Sequence, residues 1–255
     1  MTESDGPRTL EAVTKTLNVI EALWRNEGAG VTELTDELSL PKSTVHAHLS
    51  TLREKGYVVQ TDGEYNLSLR FLTYGEYVKH AENLYDTAKE PVRNLADRTG
   101  ERVYFTTHQN GLGTVLCLGT GDRSFNSDIT VGTHMYLHAS AAGKAILAHM
   151  DSDDVDAIID EWGLPTFTDE TIGTRAALEA ELERVRNRGI AENRGEYRPG
   201  VYTVGAPVVS PPDTVHGAVA IAGPEQRLLN EWGEEALYDH VRAVANTIEV
   251  NLSFG

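Results

Sequence analysis

The chain has 255 residues, more than one ordinary domain of ~100–200 residues and about right for two. Hydrophobic residues make up 40% of it and charged ones 24%, which excludes disordered and fibrous architectures; no run approaches the roughly 20 apolar residues of a membrane span. The charge is lopsided, 39 acidic residues against 22 basic for a net −17, and such a chain repels a phosphate backbone at long range.

The opening MTESDGPRTL has no apolar leader region, so a soluble cytoplasmic protein is expected. From Leu10 to Arg25, Val13, Leu17, Ile20 and Leu23–Trp24 recur at helical spacing and predict an amphipathic helix turned inward on that stripe. Thr32 suits the N-cap of a short second helix with Leu34 and Leu38 facing inward. Ser39-Leu40-Pro41-Lys42 breaks it, and Ser43 is placed to cap a third helix whose inner face is Val45, Leu49 and Leu52. After Gly56 the period becomes alternating, Tyr57–Thr61 and Glu64–Leu67 around Asp62-Gly63, a hairpin signal because a type I′ turn needs positive φ at both central residues. Three helices and a hairpin in about sixty residues describe a winged helix-turn-helix, expected over residues 1–69, with a linker helix over 70–83.

Residues 84–255 read as a second, α+β domain. A helix from Leu84 to Ala96 stops at Gly100, and strands at Arg102–Thr107 and Thr114–Leu118 flank Asn110-Gly111. Helices follow around Ala141–Met150, Ser152–Glu161 and Arg175–Arg188; strands Tyr202–Val209 and Val215–Ala222 flank Ser210-Pro211-Pro212-Asp213, and one last helix is expected over Leu228–Leu252.

Within this acidic chain, residues 38–61 hold Lys42, Arg53 and Lys55 against Glu54 alone. A helix that reads the major groove uses short polar side chains near its N-terminus while basic groups hold phosphates. Lys42, Ser43, Thr44, His46, Ala47, Thr51 and Arg53, with Thr32 ahead of them, form the candidate DNA-binding set. A solvated helix that merely lacks acids is the alternative for this window alone; the preceding helix, turn and hairpin favour DNA.

Leu40-Pro41-Lys42-Ser43-Thr44-Val45-His46 with Leu49, Leu52, Gly56 and Tyr57 resembles the winged-helix signature of the IclR family of transcriptional regulators. Leu137-His138-Ala139-Ser140-Ala141-Ala142-Gly143-Lys144-Ala145 is similar to a motif of that family's GAF-like effector domain. Arg188-Gly189-Ile190-Ala191, Gly195-Glu196, Gly200-Val201, Ala206-Pro207-Val208 and Ala222-Gly223-Pro224 follow in the family's order. The resemblance implies a homodimer or homotetramer on a pseudo-palindromic operator in double-stranded DNA, controlled by an organic acid, sugar-derived or aromatic metabolite, with no cofactor. Two departures stand in the reading helix. Ala47 replaces the family's arginine and suits a thymine methyl; His48 replaces an apolar residue, as a side chain satisfied by backbone or, less readily, as a DNA contact. The wing tip, Asp62 and Glu64, is acidic, which argues against deep insertion beside phosphates.

The resemblance also places the effector among Met135, Ala141, Ala142, Gly143, Asn193, Glu196, Val201, Thr203, Ala220 and Ala222. Members that bind small 2-oxo acids have an acid, a cysteine and two serines at Asn193, Thr203, Ala220 and Ala222, so a less polar pocket and an effector larger or more apolar than glyoxylate or pyruvate are expected. Free amides at Ala141-Ala142-Gly143 suit a carboxylate. Glu196 reads more readily as an exposed loop acid than as a ligand contact, and Lys144 as structural. The histidines lack H-E-x-x-H spacing, and the one i, i+4 pair, His134 and His138, falls in what reads as strand and loop rather than helix, so no metal site is expected. No phosphate loop or G-x-S-x-G elbow is present, and Cys117 sits in an apolar run where an inert thiol is expected, so catalysis is not. A sensor whose winged helix binds protein instead of DNA is the remaining alternative. Seven basic and 11 acidic residues precede residue 72, and 15 and 28 follow. Acid enrichment of both parts and only six lysines resemble proteins of halophilic archaea, whose salt screens distant charges to about 3 Å at 1 M.

Overall fold

The computed structural model describes residues 9–81 and 83–254; the leader reading of the first residues falls largely outside them. The chain divides into two compact units between Val78 and Lys79. The first contains α1 (Glu11–Arg25), α2 (Val31–Leu38), α3 (Lys42–Glu54), a hairpin of β1 (Val58–Thr61) and β2 (Glu64–Leu67), and most of α4 (Arg70–Lys79). Its core joins Val19, Ala22 and Leu23 of α1 to Leu34, Val45, Leu49, Leu52, Val58 and Tyr65. Asp62 and Gly63 have φ of 53° and 93°, the left-handed pair that the tight hairpin requires.

Three local expectations change. Val13, Leu17 and Trp24 are exposed, at 52, 53 and 66%, because α1 turns the neighbouring Val19–Ala22–Leu23 face inward. Thr32 lies inside α2, whose N-cap is Gly30; the Glu33 carboxylate accepts the Gly30 amide at 2.8 Å, the acidic half of a capping arrangement. Ser43 likewise lies in the first turn of α3, behind an N-cap at Pro41, whose fixed φ suits a helix entry.

The second unit is built on a six-stranded antiparallel sheet of order β5-β4-β3-β8-β7-β6. Its strands are β3 (Arg102–Gln109), β4 (Leu112–Thr120), β5 (His134–Tyr136), β6 (Ala191–Arg194), β7 (Val201–Ser210) and β8 (Thr214–Pro224). Helices α5 (Leu84–Thr99) and α10 (Gly233–Phe254) cover one face with Val103, Phe105, Tyr202, Val204, Val219 and Ile221 beneath them. Against the other face lie α6 (Ala141–Leu147), α7 (Ser152–Trp162) and α8 (Arg175–Arg188). The fold is therefore α+β in both composition and layering. The single C-terminal helix is in fact two, α9 (Glu225–Glu231) and α10, parted at Gly233 with φ of 70°; a continuous apolar period hid a left-handed break that glycine permits. The helix beginning at Ala141 ends at Leu147, short of Met150.

The side-chain period of two gives β8 a division of labour. Val219 and Ile221 pack toward α5 and α10, whereas Ala218, Ala220 and Ala222 face the other way. Small residues on that second face leave space between sheet and covering segments.

Candidate DNA-reading helix and effector cavity

Helix α3 has two chemically distinct sides. Val45 and Leu49 have no exposed surface and Leu52 is 5% exposed, each worth about 1.5–3 kcal/mol in fixing the helix on α1 and β1. Lys42, Ser43, His46, Ala47, Thr51 and Arg53 are exposed and Thr44 is half-buried. Thr51 turns its hydroxyl back to the Ala47 carbonyl at 2.9 Å, and Arg53 donates to Gln60 Oε1 on β1 at 2.7 Å. The first is oriented by its own helix and the second by the hairpin. Thr32 is exposed at the start of α2. His46 Nδ1 lies 3.3 Å from Ser50 Oγ, one turn on. His48 is half-buried with Nδ1 2.9 Å from Thr16 Oγ1 on α1. Its polar atom is thus satisfied by a side chain rather than by backbone.

Sequence reasoning missed the buttress behind the hairpin. The Arg70 guanidinium donates to the Lys55 carbonyl at 3.0 Å and to Tyr74 Oη at 3.2 Å, and lies 5.0 Å from the Tyr57 ring centroid. Tyr57 stacks on Tyr74 with centroids 6.0 Å apart. These contacts tie α4 to the end of α3 and the start of β1. The Arg70-to-Tyr74 spacing, i to i+4 on a helix, was the available signal.

In the second unit a cavity with about 580 Å³ of empty space, its mouth included, lies on the alanine face of the sheet. Met135, Ala141, Asn193, Val201, Thr203 and Ala222 of the expected set line it. Tyr104, Phe125, Ile129 and Tyr197 complete its apolar and aromatic walls, and Asp128 and Arg198 stand at it, 80 and 53% exposed and 3.8 Å apart. The segment 121–133 was unassigned in the sequence because it has no regular period, and it contributes much of the wall. Burial pushes the Tyr104 phenol up to about 12, against the opposing effects of its hydrogen bond with Thr203 and the positive charge of Arg102. It is therefore a neutral hydroxyl at any ordinary pH.

Four expected contacts do not reach the cavity. Ala142 and Ala220 pack in the core beneath it. Gly143 is small for another reason: a Cβ there would stand 2.2 Å from the Leu137 carbonyl oxygen. Its amide is not free either, since Ser140 Oγ accepts it at 3.0 Å, so the N-terminus of α6 is capped by its own chain. Glu196 is only 9% exposed. Its Oε1 accepts Lys144 Nζ at 2.6 Å, and the same ammonium lies 3.3 Å from Glu181. Lys144 is 1% exposed, and burying that charge is tolerable because two carboxylates face it. Burial raises the Glu196 pKa, with the Lys144 charge opposing. Asn193 spends its amide on structure, donating to the Ala139 carbonyl at 2.6 Å and accepting the Glu196 amide at 3.1 Å. Among the described residues no cluster of histidine, cysteine and acidic side chains could hold a metal, and no helix is long and apolar enough to cross a membrane.

A winged helix-turn-helix unit joined to an antiparallel, cavity-bearing unit defines the class of ligand-responsive DNA-binding regulators. Residues 12–62 match the IclR helix-turn-helix domain, and residues 76–250 match the C-terminal domain of bacterial IclR transcriptional regulators. This chain belongs to the IclR family. It is 33% identical over 250 residues to a probable HTH-type transcriptional regulator ArcR of Halobacterium salinarum, covering 96% of this chain and 95% of that one. To the regulator BhcR of Paracoccus denitrificans it is 27% identical, over 96% of this chain and 87% of the other. Among solved structures, the Thermotoga maritima IclR superposes with a TM-score of 0.79 at 25% identity, covering 96% of this chain and 99% of that one. An IclR homolog from Microbacterium hydrocarbonoxydans, solved with 4-hydroxybenzoate, superposes with a TM-score of 0.81 at 18% identity, covering 96% of this chain and all of the other, and supports the shared fold.

Proposed function

We propose that this regulator binds a pseudo-palindromic operator as a homodimer or homotetramer and answers a metabolite held in the cavity of its second unit. The observation that carries the DNA reading is α3, where an exposed polar face whose single acid is the terminal Glu54 runs along one side of a helix whose other side is buried. Lys42 serves as a phosphate contact; Ser43, Thr44, His46 and Ala47 meet base edges, with Ala47 suited to a thymine methyl. Arg53 and Thr51 act from the far end of the helix, and Thr32 from the start of α2. Two such helices, brought together by dimerisation, engage half-sites about one helical turn apart. Metabolite binding shifts the balance between two arrangements of the assembly.

The effector is larger or more apolar than glyoxylate or pyruvate. Phe125, Ile129, Met135 and Tyr197 around the cavity and the alanine face of β8 support this reading, since such walls favour an aromatic or branched body. Fluorescence anisotropy with DNA from upstream of the protein's own gene, with and without a metabolite panel, tests the assignment. Sequence-specific binding modulated by a metabolite is expected; no specific binding at any salt concentration overturns it. A thermal-shift screen in which glyoxylate and pyruvate stabilise best overturns the effector reading alone.

A further inference from the structure

The cross-strand registers define one row across the sheet: Thr120 on β4, Arg102 on β3, Ala222 on β8, Thr203 on β7 and Asn193 on β6. Residues directly opposite one another in an antiparallel sheet point to the same face. Ala222, Thr203 and Asn193 line the cavity, so Arg102 stands on the same face of the sheet, with only the methyl of Ala222 between it and Thr203; it lies behind the lining itself and meets the cavity wall at the Ile129 carbonyl. Tyr104, two residues further along β3, stands on the same face and lines the cavity too.

Arg102 is only 8% exposed. One guanidinium nitrogen, Nη1, donates to the Ile129 carbonyl at 2.6 Å, whereas Nε is buried without any hydrogen-bond partner. The other buried cation among the described lysines and arginines of this unit, Lys144, faces Glu196 and Glu181, and the fully buried Glu101 carboxylate is held by the partly exposed Arg227 at 2.6 Å. Arg102 forms no ion pair with a carboxylate of the described residues. Taking a guanidinium out of water without a counter-charge is costly, and an orphaned buried N–H adds to that cost. A fold retains such an arrangement when something else supplies the anion.

We propose that Arg102 is the charge-recognition residue of the effector cavity and that the effector enters as a carboxylate, placed against the Arg102 guanidinium at the β3–β8 end of the cavity. This rests on the reading of the cavity as the effector site. The fork of N–H groups matches a carboxylate's two oxygens. The neutral Tyr104 hydroxyl and Thr203 hydroxyl stand beside that end and complete a polar patch within otherwise apolar walls. Arg102 lies outside the set of residues that the family resemblance supplied.

The test uses full-length protein and two variants. Arg102→Gln removes the charge but keeps an N–H for the Ile129 carbonyl, and Arg102→Met removes both. With no ligand added, both are expected to melt at or above the wild-type temperature. If both melt lower by about 4 °C or more, the guanidinium is a structural clamp and the inference fails. The ligand arm compares 4-hydroxybenzoate, phenylacetate and 4-methyl-2-oxopentanoate with their carboxamides by thermal shift. An acid that stabilises the wild type should do so without its amide doing likewise, and both Arg102 variants should lose the response. Val201→Phe, which fills the cavity, separates the two levels of the argument. An acid response kept by the Arg102 variants but lost in Val201→Phe overturns the role of Arg102 alone. A response kept in Val201→Phe overturns the cavity as the effector site. If no panel compound shifts the wild type, the ligand-free melting comparison decides.

Discussion

The two functional regions are built in opposite ways. In α3 the groups proposed to read DNA are exposed and the buried side is wholly apolar, so the helix is an ordinary core element whose outer face is free to carry chemistry. In the second unit the candidate working surface is a concave cavity, and the interior charges Lys144, Glu196, Glu101 and Arg102 are each no more than 9% exposed and lie outside its lining. A surface reader loses affinity when a side chain is removed but keeps its fold. Buried pairs tie charge to stability, because removing Lys144 or Arg227 leaves its carboxylate partners uncompensated, whereas Arg102 has no such partner to strand among the described residues.

The largest effect that sharpens this contrast is expected at Lys144. Lys144→Ala leaves Glu196 and Glu181 facing each other with no counter-charge, and should cost about 3–5 kcal/mol, as broken buried pairs do. Urea denaturation of the full chain measures it. A loss below about 1 kcal/mol, the scale of an exposed ion pair, would mean that water reaches the cluster and that the second unit is less closed than its burial indicates.

At the surface reader, His46→Ala should leave the melting temperature unchanged and alter base preference. The cost should be about 1–3 kcal/mol at the base it contacts and little on other sequences. Anisotropy against an operator and its single-base variants reads this out. Equal losses on every sequence would demote His46 from reader to phosphate contact.

A smaller effect follows from the titration of Glu196. Its pKa is raised in the folded state, so the native chain holds that proton more tightly than the unfolded chain. The stability this contributes is full below the ordinary value of 4.5 and is lost as pH rises through the folded pKa. Glu196→Gln cannot lose it. The melting temperature of the variant relative to wild type should therefore rise across the pH range just above 4.5; a constant difference across that range would contradict the assignment.

The same contrast explains what could be read from the sequence. Helix α3 was legible because its buried triad and its polar face are both local patterns, and the two Asx-Gly hairpins were legible because one dipeptide dictates the turn. Periodicity identified α1 but not which face turns inward: Val13–Leu17 and Val19–Leu23 are both apolar stripes, and only packing chooses between them. The cavity was half legible. Met135, Thr203 and Ala222 line the cavity as the resemblance implies, but Glu196 reads as an exposed loop acid in the sequence because its partner, Lys144, is 52 residues away in the chain. Arg102 opens a strand whose sequence reads as any other. Its significance depends on register, which places Ala222 and Thr203 beside it and no acid within reach.

The smallest effect concerns the electrostatic setting of the DNA-reading helix. Lys42 is exposed at the first turn of α3, where no acid shares the turn. Lys42→Ala should weaken binding to all sequences alike and reduce the slope of log K against log salt by about 1. Net charge −17 sets how much that slope matters. In about 1 M salt, where the Debye length is near 3 Å, distant acids no longer repel the operator, and counterion release contributes little to affinity. Base contacts such as those assigned to His46 then carry a larger share of binding than phosphate contacts do. Measured across a salt series, the Lys42→Ala defect should shrink toward high salt while the His46→Ala defect persists. Wild-type stability and operator affinity that both peak in dilute buffer would remove salt adaptation as the reason for the acidic surface and leave the excess of acids unexplained by screening.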